Sequence, residues 1–178
     1  MDRRAVVTGL TLARFPFVAL GYWAALKGQA LSTVTFGLAA IATDIADGRL
    51  ARRWEVTSDR GSQLDSAADF VFYASLLAWV YLFHPGPVME HALLFTTFFT
   101  LYVVMLISGY FFKRSIAVHN RVSRTAGTVG AGFGLYFIAF AYHEWMLFTL
   151  ALFATADIAQ RLHSIVQALA VKRRGLEG

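Results

Sequence analysis

The chain lacks cysteine altogether and contains few charged residues. Only 15% of its 178 residues are charged, whereas soluble domains contain roughly 25%. The absence of cysteine excludes disulfide bonds and thiolate metal ligands. Hydrophobic residues make up 57% of the sequence, which is more than a soluble chain of this length can bury. These features favour a protein that is embedded in a lipid bilayer.

Long apolar stretches recur along the whole chain and predict an all-α integral membrane bundle. Each stretch approaches the roughly 20 residues that a helix needs to cross the hydrocarbon core. The predicted helices are 5–26, 30–53, 61–84, 88–113, 124–143 and 145–172. The first has the look of a signal peptide, but Arg14 interrupts it and no convincing cleavage site follows, so we expect a retained membrane helix. Linkers are short and no internal repeat is clear, which predicts a single domain over residues 1–178.

The distribution of positive charge predicts the orientation of these six helices. Arginine and lysine are enriched in the cytoplasmic loops of membrane proteins. With six spans, every arginine and lysine except Lys27 falls on one side, whereas five spans would scatter them. Both termini are therefore predicted to be cytoplasmic. The net charge of +5 then reflects contact with cytosol and anionic lipid, and we expect no nucleic-acid partner.

Two pairs of aspartates interrupt the second and third predicted helices. Asp44 and Asp47 are three residues apart, and Asp65 and Asp69 are four residues apart. Both spacings place the two carboxylates of a pair on one helical face. The uncharged run of each helix beyond its pair covers roughly 20–25 Å at 1.5 Å per residue. Both pairs should therefore lie just inside the cytoplasmic boundary of the ~30 Å core, where they can converge.

Such a cluster of carboxylates predicts a metal site. Clustered carboxylates repel one another, and their desolvation adds to the cost, so protons or cations must neutralise them. A single aspartate at such a position more often caps a helix or pairs with an arginine, but two pairs at matched depth favour a functional site. Oxygen ligands suit magnesium, manganese or calcium rather than zinc or copper. Magnesium or manganese with a pyrophosphate substrate is the simplest fit.

Residues 44–69 also carry the pattern D-x2-D-G-x2-A-R-x8-G-x3-D-x3-D at every specified position. By this signature the chain resembles the CDP-alcohol phosphatidyltransferase family, for which six helices are also typical. The resemblance implies an enzyme of phospholipid biosynthesis that transfers a phosphoalcohol group from a CDP-alcohol to a hydroxyl acceptor and releases CMP. The expected donor is CDP-diacylglycerol. The resemblance further implies a homodimer. The charge distribution and the depth of the aspartates predict that the active site lies at the cytoplasmic side, and we expect a prokaryotic cell membrane.

The same resemblance implies roles for the residues of the signature. The expected metal ligands, for two Mg²⁺ or Mn²⁺ ions, are Asp44, Asp47, Asp65 and Asp69. Asp69 is also expected to be the base that takes the proton of the acceptor hydroxyl, which a nearby metal would ease. The expected donor-binding residues are Asp47, Gly48, Ala51, Arg52 and Gly61. Gly48 and Ala51 leave room for a nucleotide, Arg52 can donate to a phosphate, and Gly61 permits a tight entry to the third helix.

The first helix carries a weaker similarity to the same family. Residues 10–16 read LTLARFP and resemble an L-T-x-x-R stretch that precedes a proline in bacterial members, with Gly9 in place of a common asparagine. Thr11 and Arg14 therefore have two open interpretations. They belong either to the site or to an interfacial helix start, with the arginine extending toward water.

A basic cluster bears on the identity of the acceptor. Its members are Lys113, Arg114, Arg121 and Arg124. The cluster is either ordinary cytoplasmic charge or a pocket for a phosphate on the acceptor. Glycerol 3-phosphate and inositol phosphate carry such a group, whereas serine, choline and ethanolamine do not. Arg124-Thr125 resembles the Lys-Thr pair of phosphatidylglycerophosphate synthases, although Thr128 replaces the expected glutamine, and glycerol 3-phosphate is the preferred acceptor.

Two other classes of protein explain the sequence less well. An aspartate-rich membrane prenyltransferase also binds magnesium pyrophosphate, but it leaves the pattern of Gly48, Ala51 and Arg52 unexplained. A cation transporter or channel needs a path through the membrane, and the outer halves of the second and third helices contain no acidic residue.

Overall fold

The computed structural model describes residues 2–97, 99–100 and 121–140, together with the single residues 143, 145, 149, 152 and 155. The helices in this part of the chain are α1 (Arg3–Leu26), α2 (Ala30–Arg53), α3 (Asp59–Phe83), α4 (Pro85–Glu90) and α5 (Arg121–Ala139). Residues 92–97 are helical as well. No β-strand occurs in the described residues, so the prediction of an all-α protein is confirmed for them.

The first three predicted helices agree closely with the structure, and the later ones differ. Where the sequence predicts one helix over 88–113, the chain forms α4 and then resumes a helix after His91. Pro85 occupies the first helical position of α4, where its fixed φ angle and missing N–H are tolerated. The predicted helix 124–143 begins and ends a few residues earlier as α5. Residues 101–113 and nearly all of 145–172 lie outside the described residues.

Three of the described helices are long and apolar enough to cross a membrane. They are Arg3–Leu26, Ala30–Arg53 and Arg60–Phe83, each of 24 residues. At 1.5 Å per residue, each is about 36 Å long, which exceeds the ~30 Å hydrocarbon core. Because α1 and α2 follow each other after a turn of three residues, they form a helical hairpin.

Local capping explains where these helices begin and end. Asp2 caps α1, accepting a hydrogen bond from the backbone N–H of Arg4 at 3.0 Å. At the other end Gly28 has a φ of 67°, a conformation that favours glycine. The N–H of Gly28 reaches the carbonyl of Ala25 at 2.9 Å, and that of Gln29 reaches Ala24 at 3.0 Å. This Schellman motif stops α1 and turns the chain into α2.

By their internal contacts, residues 1–92 and 134–142 form one compact unit, and residues 93–133 and 143–178 form another. In the first unit α1 packs extensively against α2 and also against α3, whereas α2 and α3 make few contacts with each other. Helix α1 is therefore the element that brings the other two together. In the second unit the rings of Phe133 and Trp145 meet edge to face at 6.3 Å.

The indole ring of Trp79 lies at the centre of the first unit and is 0% exposed. The rings of Tyr22 and Phe72 meet it edge to face, with centroids 5.8 and 6.5 Å away. Two glycines allow close packing of the helices around this ring. A Cβ atom on Gly21 would lie 2.4 Å from Trp79 Cζ2, and one on Gly37 would lie 2.6 Å from Leu135 Cδ2. This packing fixes the position of α1 relative to α2 and α3, and so positions the polar residues that they carry.

Candidate metal and donor site

The four predicted aspartates converge on a single guanidinium group contributed by α1. Nη2 of Arg14 lies 2.7 Å from Oδ1 of Asp44, 3.2 Å from Oδ2 of Asp47 and 3.2 Å from Oδ1 of Asp65. Nη1 of Arg14 lies 2.6 Å from Oδ1 of Asp69. Charge-assisted contacts of this length are strong. The structure therefore brings together both acidic pairs, as the sequence predicts, and adds an arginine at their centre.

Burial differs between the floor of this cluster and its open side. Arg14 is 1% exposed and Asp47 is 4% exposed. The side chains of Asp44, Asp65 and Asp69 are between 37% and 46% exposed. A ligand can therefore reach three of the carboxylates from outside, while the buried arginine and Asp47 form the floor.

Thr11 completes the floor from one turn earlier on α1. Its hydroxyl donates a hydrogen bond to Oδ2 of Asp47 at 2.7 Å, and both groups are buried. Thr11 and Arg14 are three residues apart, which places both on the face of α1 that meets the aspartates. Of the two interpretations left open for these residues, an interfacial helix start with an arginine extending to water is wrong, because both side chains are buried against the carboxylates.

The geometry of the carboxylates is suitable for a divalent cation. One oxygen from each of Asp44, Asp47 and Asp65 can be chosen so that all three lie within 4.8 Å of one another. A donor set made only of carboxylate oxygens matches the preference of Mg²⁺ and Mn²⁺. A single guanidinium offsets only one of the four carboxylate charges, so the cluster retains a strong attraction for further positive charge. The residues present therefore fit a divalent metal.

The predicted donor-binding residues lie beside the carboxylates. Gly48 and Arg52 follow Asp44 at intervals of four residues on α2, which places the three in one row on the helix surface. A Cβ atom on Gly48 would lie 3.4 Å from Nη1 of Arg52, an ordinary contact distance. Packing among the described residues therefore does not require glycine at position 48, which agrees with a need for close approach by a ligand.

Two further residues that were predicted to bind the donor lie near the ends of their helices. Ala51 is half-buried one turn after Asp47. Gly61 lies in the first turn of α3, where its N–H donates to the hydroxyl of the capping residue Ser58 at 3.1 Å. A Cβ atom at Gly61 would lie only 3.1 Å from that same oxygen. The close cap explains the glycine, and α3 begins about two turns before Asp65.

The predicted acceptor residues are only partly within the described structure. Arg121 and Arg124 lie in the first turn of α5, and their side chains lie outside the described part. Lys113 and Arg114 lie outside the described residues altogether.

Sequence reasoning left the role of Arg14 open and did not predict its ion pairs with the carboxylates, although one signal could have done so. Arg14 is the only charged residue between Arg4 and Lys27. A charged side chain within a membrane segment is costly and usually has a partner. The four carboxylates were the most concentrated opposite charge available.

Comparison with known proteins identifies the family. The family model described as CDP-alcohol phosphatidyltransferase matches residues 5–159, which is most of the chain. This chain belongs to the CDP-alcohol phosphatidyltransferase family. The resemblance carried by residues 44–69 is thereby confirmed. Members are transferases of substituted phosphate groups and are generally dependent on divalent metal, which agrees with the oxygen-lined cluster and leaves the prenyltransferase and transporter interpretations without support.

Two curated relatives carry the same name, "CDP-diacylglycerol--glycerol-3-phosphate 3-phosphatidyltransferase". The protein from Blochmanniella floridana is 46% identical over 61 residues, covering 34% of this chain and 32% of the relative. The protein from Sodalis glossinidius (strain morsitans) is 38% identical over 78 residues, covering 42% of this chain and 43% of the relative. The chain thus matches less than half the length of these relatives. No solved structure matches it.

Proposed function

We propose that this protein transfers the phosphatidyl group of CDP-diacylglycerol to a hydroxyl of glycerol 3-phosphate and releases CMP. The observation that carries the proposal is the convergence of Asp44, Asp47, Asp65 and Asp69, all members of the family signature, on one partly open site. The names of the two curated relatives favour glycerol 3-phosphate as the acceptor.

We assign the chemistry to the aspartates as follows. Two Mg²⁺ or Mn²⁺ ions held by the four carboxylates would neutralise the pyrophosphate of the donor and stabilise the charge that develops during transfer. Asp69 takes the proton of the acceptor hydroxyl as general base. The acceptor oxygen then forms a bond to the phosphorus that carries the diacylglycerol, and the bond from this phosphorus to CMP breaks. Asp69 is suited to this role because its partly exposed side chain is reachable from outside.

The donor would lie along the row of α2 that begins at Asp44. Gly48 and Ala51 allow the nucleotide to approach the helix, and Arg52, which is exposed, is free to turn toward a phosphate and donate two hydrogen bonds. The proposed donor site also includes Asp47, in the floor of the cluster, and Gly61, in the first turn of α3. The acyl chains of the donor remain in lipid while its head group enters from the open side.

The acceptor phosphate would be bound by the basic cluster Lys113, Arg114, Arg121 and Arg124. Arg121 and Arg124 lie at the N-terminus of α5, where the helix dipole also favours an anion. An inositol phosphate acceptor would use the same cluster. Serine or an aminoalcohol carries no phosphate and would not need it.

We further propose that residues 1–178 form one domain with six spans, that both termini are cytoplasmic, and that the chain functions as a homodimer. The three described helices long enough to span a membrane support a multi-pass protein. The distribution of arginine and lysine supports this orientation, in which the carboxylates would lie at the cytoplasmic side of the membrane. Bacterial relatives support a prokaryotic cell membrane as the location.

A panel of acceptors tests the proposed reaction. The purified full chain, reconstituted with CDP-diacylglycerol and Mn²⁺, is offered glycerol 3-phosphate, inositol phosphate, serine or ethanolamine in separate reactions, and CMP release is measured. We expect release with glycerol 3-phosphate, and none in excess chelator, because the pyrophosphate charge is then not neutralised. If CMP is released with serine but not with glycerol 3-phosphate, the proposed acceptor is wrong. Full activity in excess chelator contradicts the proposed role of the carboxylates as metal ligands.

The same assay tests the choice of metal. Zinc alone should support activity poorly, because the site offers only oxygen ligands.

A further inference from the structure

The guanidinium of Arg14 contacts the same three carboxylates that could share one metal ion. Nη2 is within 2.7 to 3.2 Å of one oxygen from each of Asp44, Asp47 and Asp65. These are the three residues whose carboxylate oxygens are close enough together to share one ion. An Mg²⁺ ion would lie about 2.0–2.1 Å from each ligand oxygen. The ion and Nη2 would then fall within a few ångströms of each other, carrying like charge.

The contacts of Arg14 suggest that it can give up this position. Its two terminal nitrogens make all of its ion pairs. Its Nε atom is buried and has no hydrogen-bond partner in the described structure, so one donor of the guanidinium is unused. Three of its four partners are partly exposed, and an ion can reach them from the open side without passing the arginine.

We propose that Arg14 is a built-in counter-cation that exchanges with the divalent ion for the same carboxylates. Before metal binds, the guanidinium holds the two acidic pairs together against their mutual repulsion. When metal binds, Arg14 releases Asp44, Asp47 and Asp65, and its N–H groups become available to another anion. This inference rests on the proposed metal-dependent function, because it concerns how that metal site is kept assembled.

The exchange has a clear thermodynamic consequence. If Arg14 and the ion compete, removal of the guanidinium must strengthen metal binding, and metal must stabilise the variant more than it stabilises the wild type. An arginine that merely braces the fold would contribute equally with and without metal. The two roles are therefore separated by measurements that do not depend on turnover.

The test compares the wild type with Arg14→Gln, Arg14→Lys and the control Arg49→Gln, all as full chains in lipid nanodiscs. Arg49 lies on α2 within the same signature segment, is exposed, and gives the same loss of charge without touching the cluster. Free Mn²⁺ is followed by its electron paramagnetic resonance signal during titration. Thermal unfolding is followed by tryptophan fluorescence in excess chelator and in saturating Mn²⁺.

We expect Arg14→Gln to bind Mn²⁺ at least about tenfold more tightly than the wild type, since at least one charge-assisted contact no longer opposes the ion. Its Tm should fall in chelator and recover in Mn²⁺. Arg14→Lys, which keeps the charge and is the safer variant for folding, should shift in the same direction by a smaller factor. Arg49→Gln should match the wild type in both measurements.

Unchanged or weaker Mn²⁺ binding by both Arg14 variants overturns the exchange while leaving the metal site intact. An equal fall in Tm with and without Mn²⁺ overturns it as well, because Arg14 is then a structural brace. If neither the wild type nor any variant binds Mn²⁺, the proposed metal-dependent function fails, and the exchange fails with it.

Discussion

At the scale of single residues, the site is a set of charges that stabilise one another. A guanidinium that is 1% exposed persists in an apolar bundle only because four carboxylates surround it. The carboxylates in turn need positive charge to remain close together. Thr11 adds a neutral donor to the most buried of them, Asp47. Helix α1 thus contributes Thr11 and Arg14 to the polar floor, although the family signature lies on α2 and α3.

The role of Asp69 can be tested by a single change. Asp69→Asn should abolish CMP release but largely spare donor binding, because the amide keeps the shape and cannot accept a proton. Donor binding is measured by cytidine-nucleotide protection against thermal unfolding. Asp2→Asn is the matched control, since Asn caps a helix as well as Asp and this exposed cap lies outside the cluster. Near-normal CMP release by Asp69→Asn would refute the assignment as base.

At the scale of helices, the decisive contact is the packing of α1 against the ring of Trp79. Gly21→Ala should destabilise the protein by about 1–3 kcal/mol, because the added methyl group would overlap a fully buried indole. Gly9→Ala is the control on the same helix, since a Cβ there would meet nothing within 4 Å among the described residues beyond its chain neighbours and its own helix backbone. The Gly9→Ala variant should be as stable as the wild type or up to about 1 kcal/mol more stable, because alanine has the higher helix propensity. Thermal unfolding in nanodiscs measures both, and equal stability of the two variants would contradict the role of this contact.

The N-terminus of α5 bears on the choice of acceptor. Replacing Arg121 or Arg124 with Ala should raise KM for glycerol 3-phosphate and change the KM of the donor little. Loss of a charge-assisted hydrogen bond of about 1.5–3 kcal/mol lowers kcat/KM roughly ten- to a hundredfold. Lys113→Ala with Arg114→Ala is the comparison, and it should have a smaller effect. Normal use of the acceptor by a double variant of Arg121 and Arg124 would favour an unphosphorylated alcohol.

At the scale of the whole molecule, the orientation in the membrane can be checked directly. Reporter fusions at Glu90, Glu144 and the C-terminus should give outside, outside and cytoplasmic signals, because the positive charges then face the cytosol. A fusion at Glu55, in the turn between α2 and α3, serves as a cytoplasmic reference. A cytoplasmic signal at Glu90 or Glu144 would be incompatible with six spans in this orientation.

The sequence by itself determined the helical class, the bounds of α1, α2 and α3 to within a few residues, and the family. These properties depend on local information. Apolar runs, the cap at Ser58 and the turn at Gly28 act within a few residues, and the signature is a set of identities at fixed spacing in 44–69. The sequence was less successful at the predicted fourth helix. Pro85 starts a separate short helix that ends before His91, and the pattern of apolar residues does not reveal this end.

The tertiary structure alone decided how the acidic pairs meet. The sequence predicted convergence from the matched depth of the two aspartate pairs, yet α2 and α3 make few contacts with each other, and α1 joins them. Arg14 is 30 or more residues away in sequence from every carboxylate that it contacts. Hydrophobic periodicity shows that a helix has a buried face, but not which neighbour covers it. That choice depends on the fit of Gly21 to Trp79, which exists only when the helices are packed.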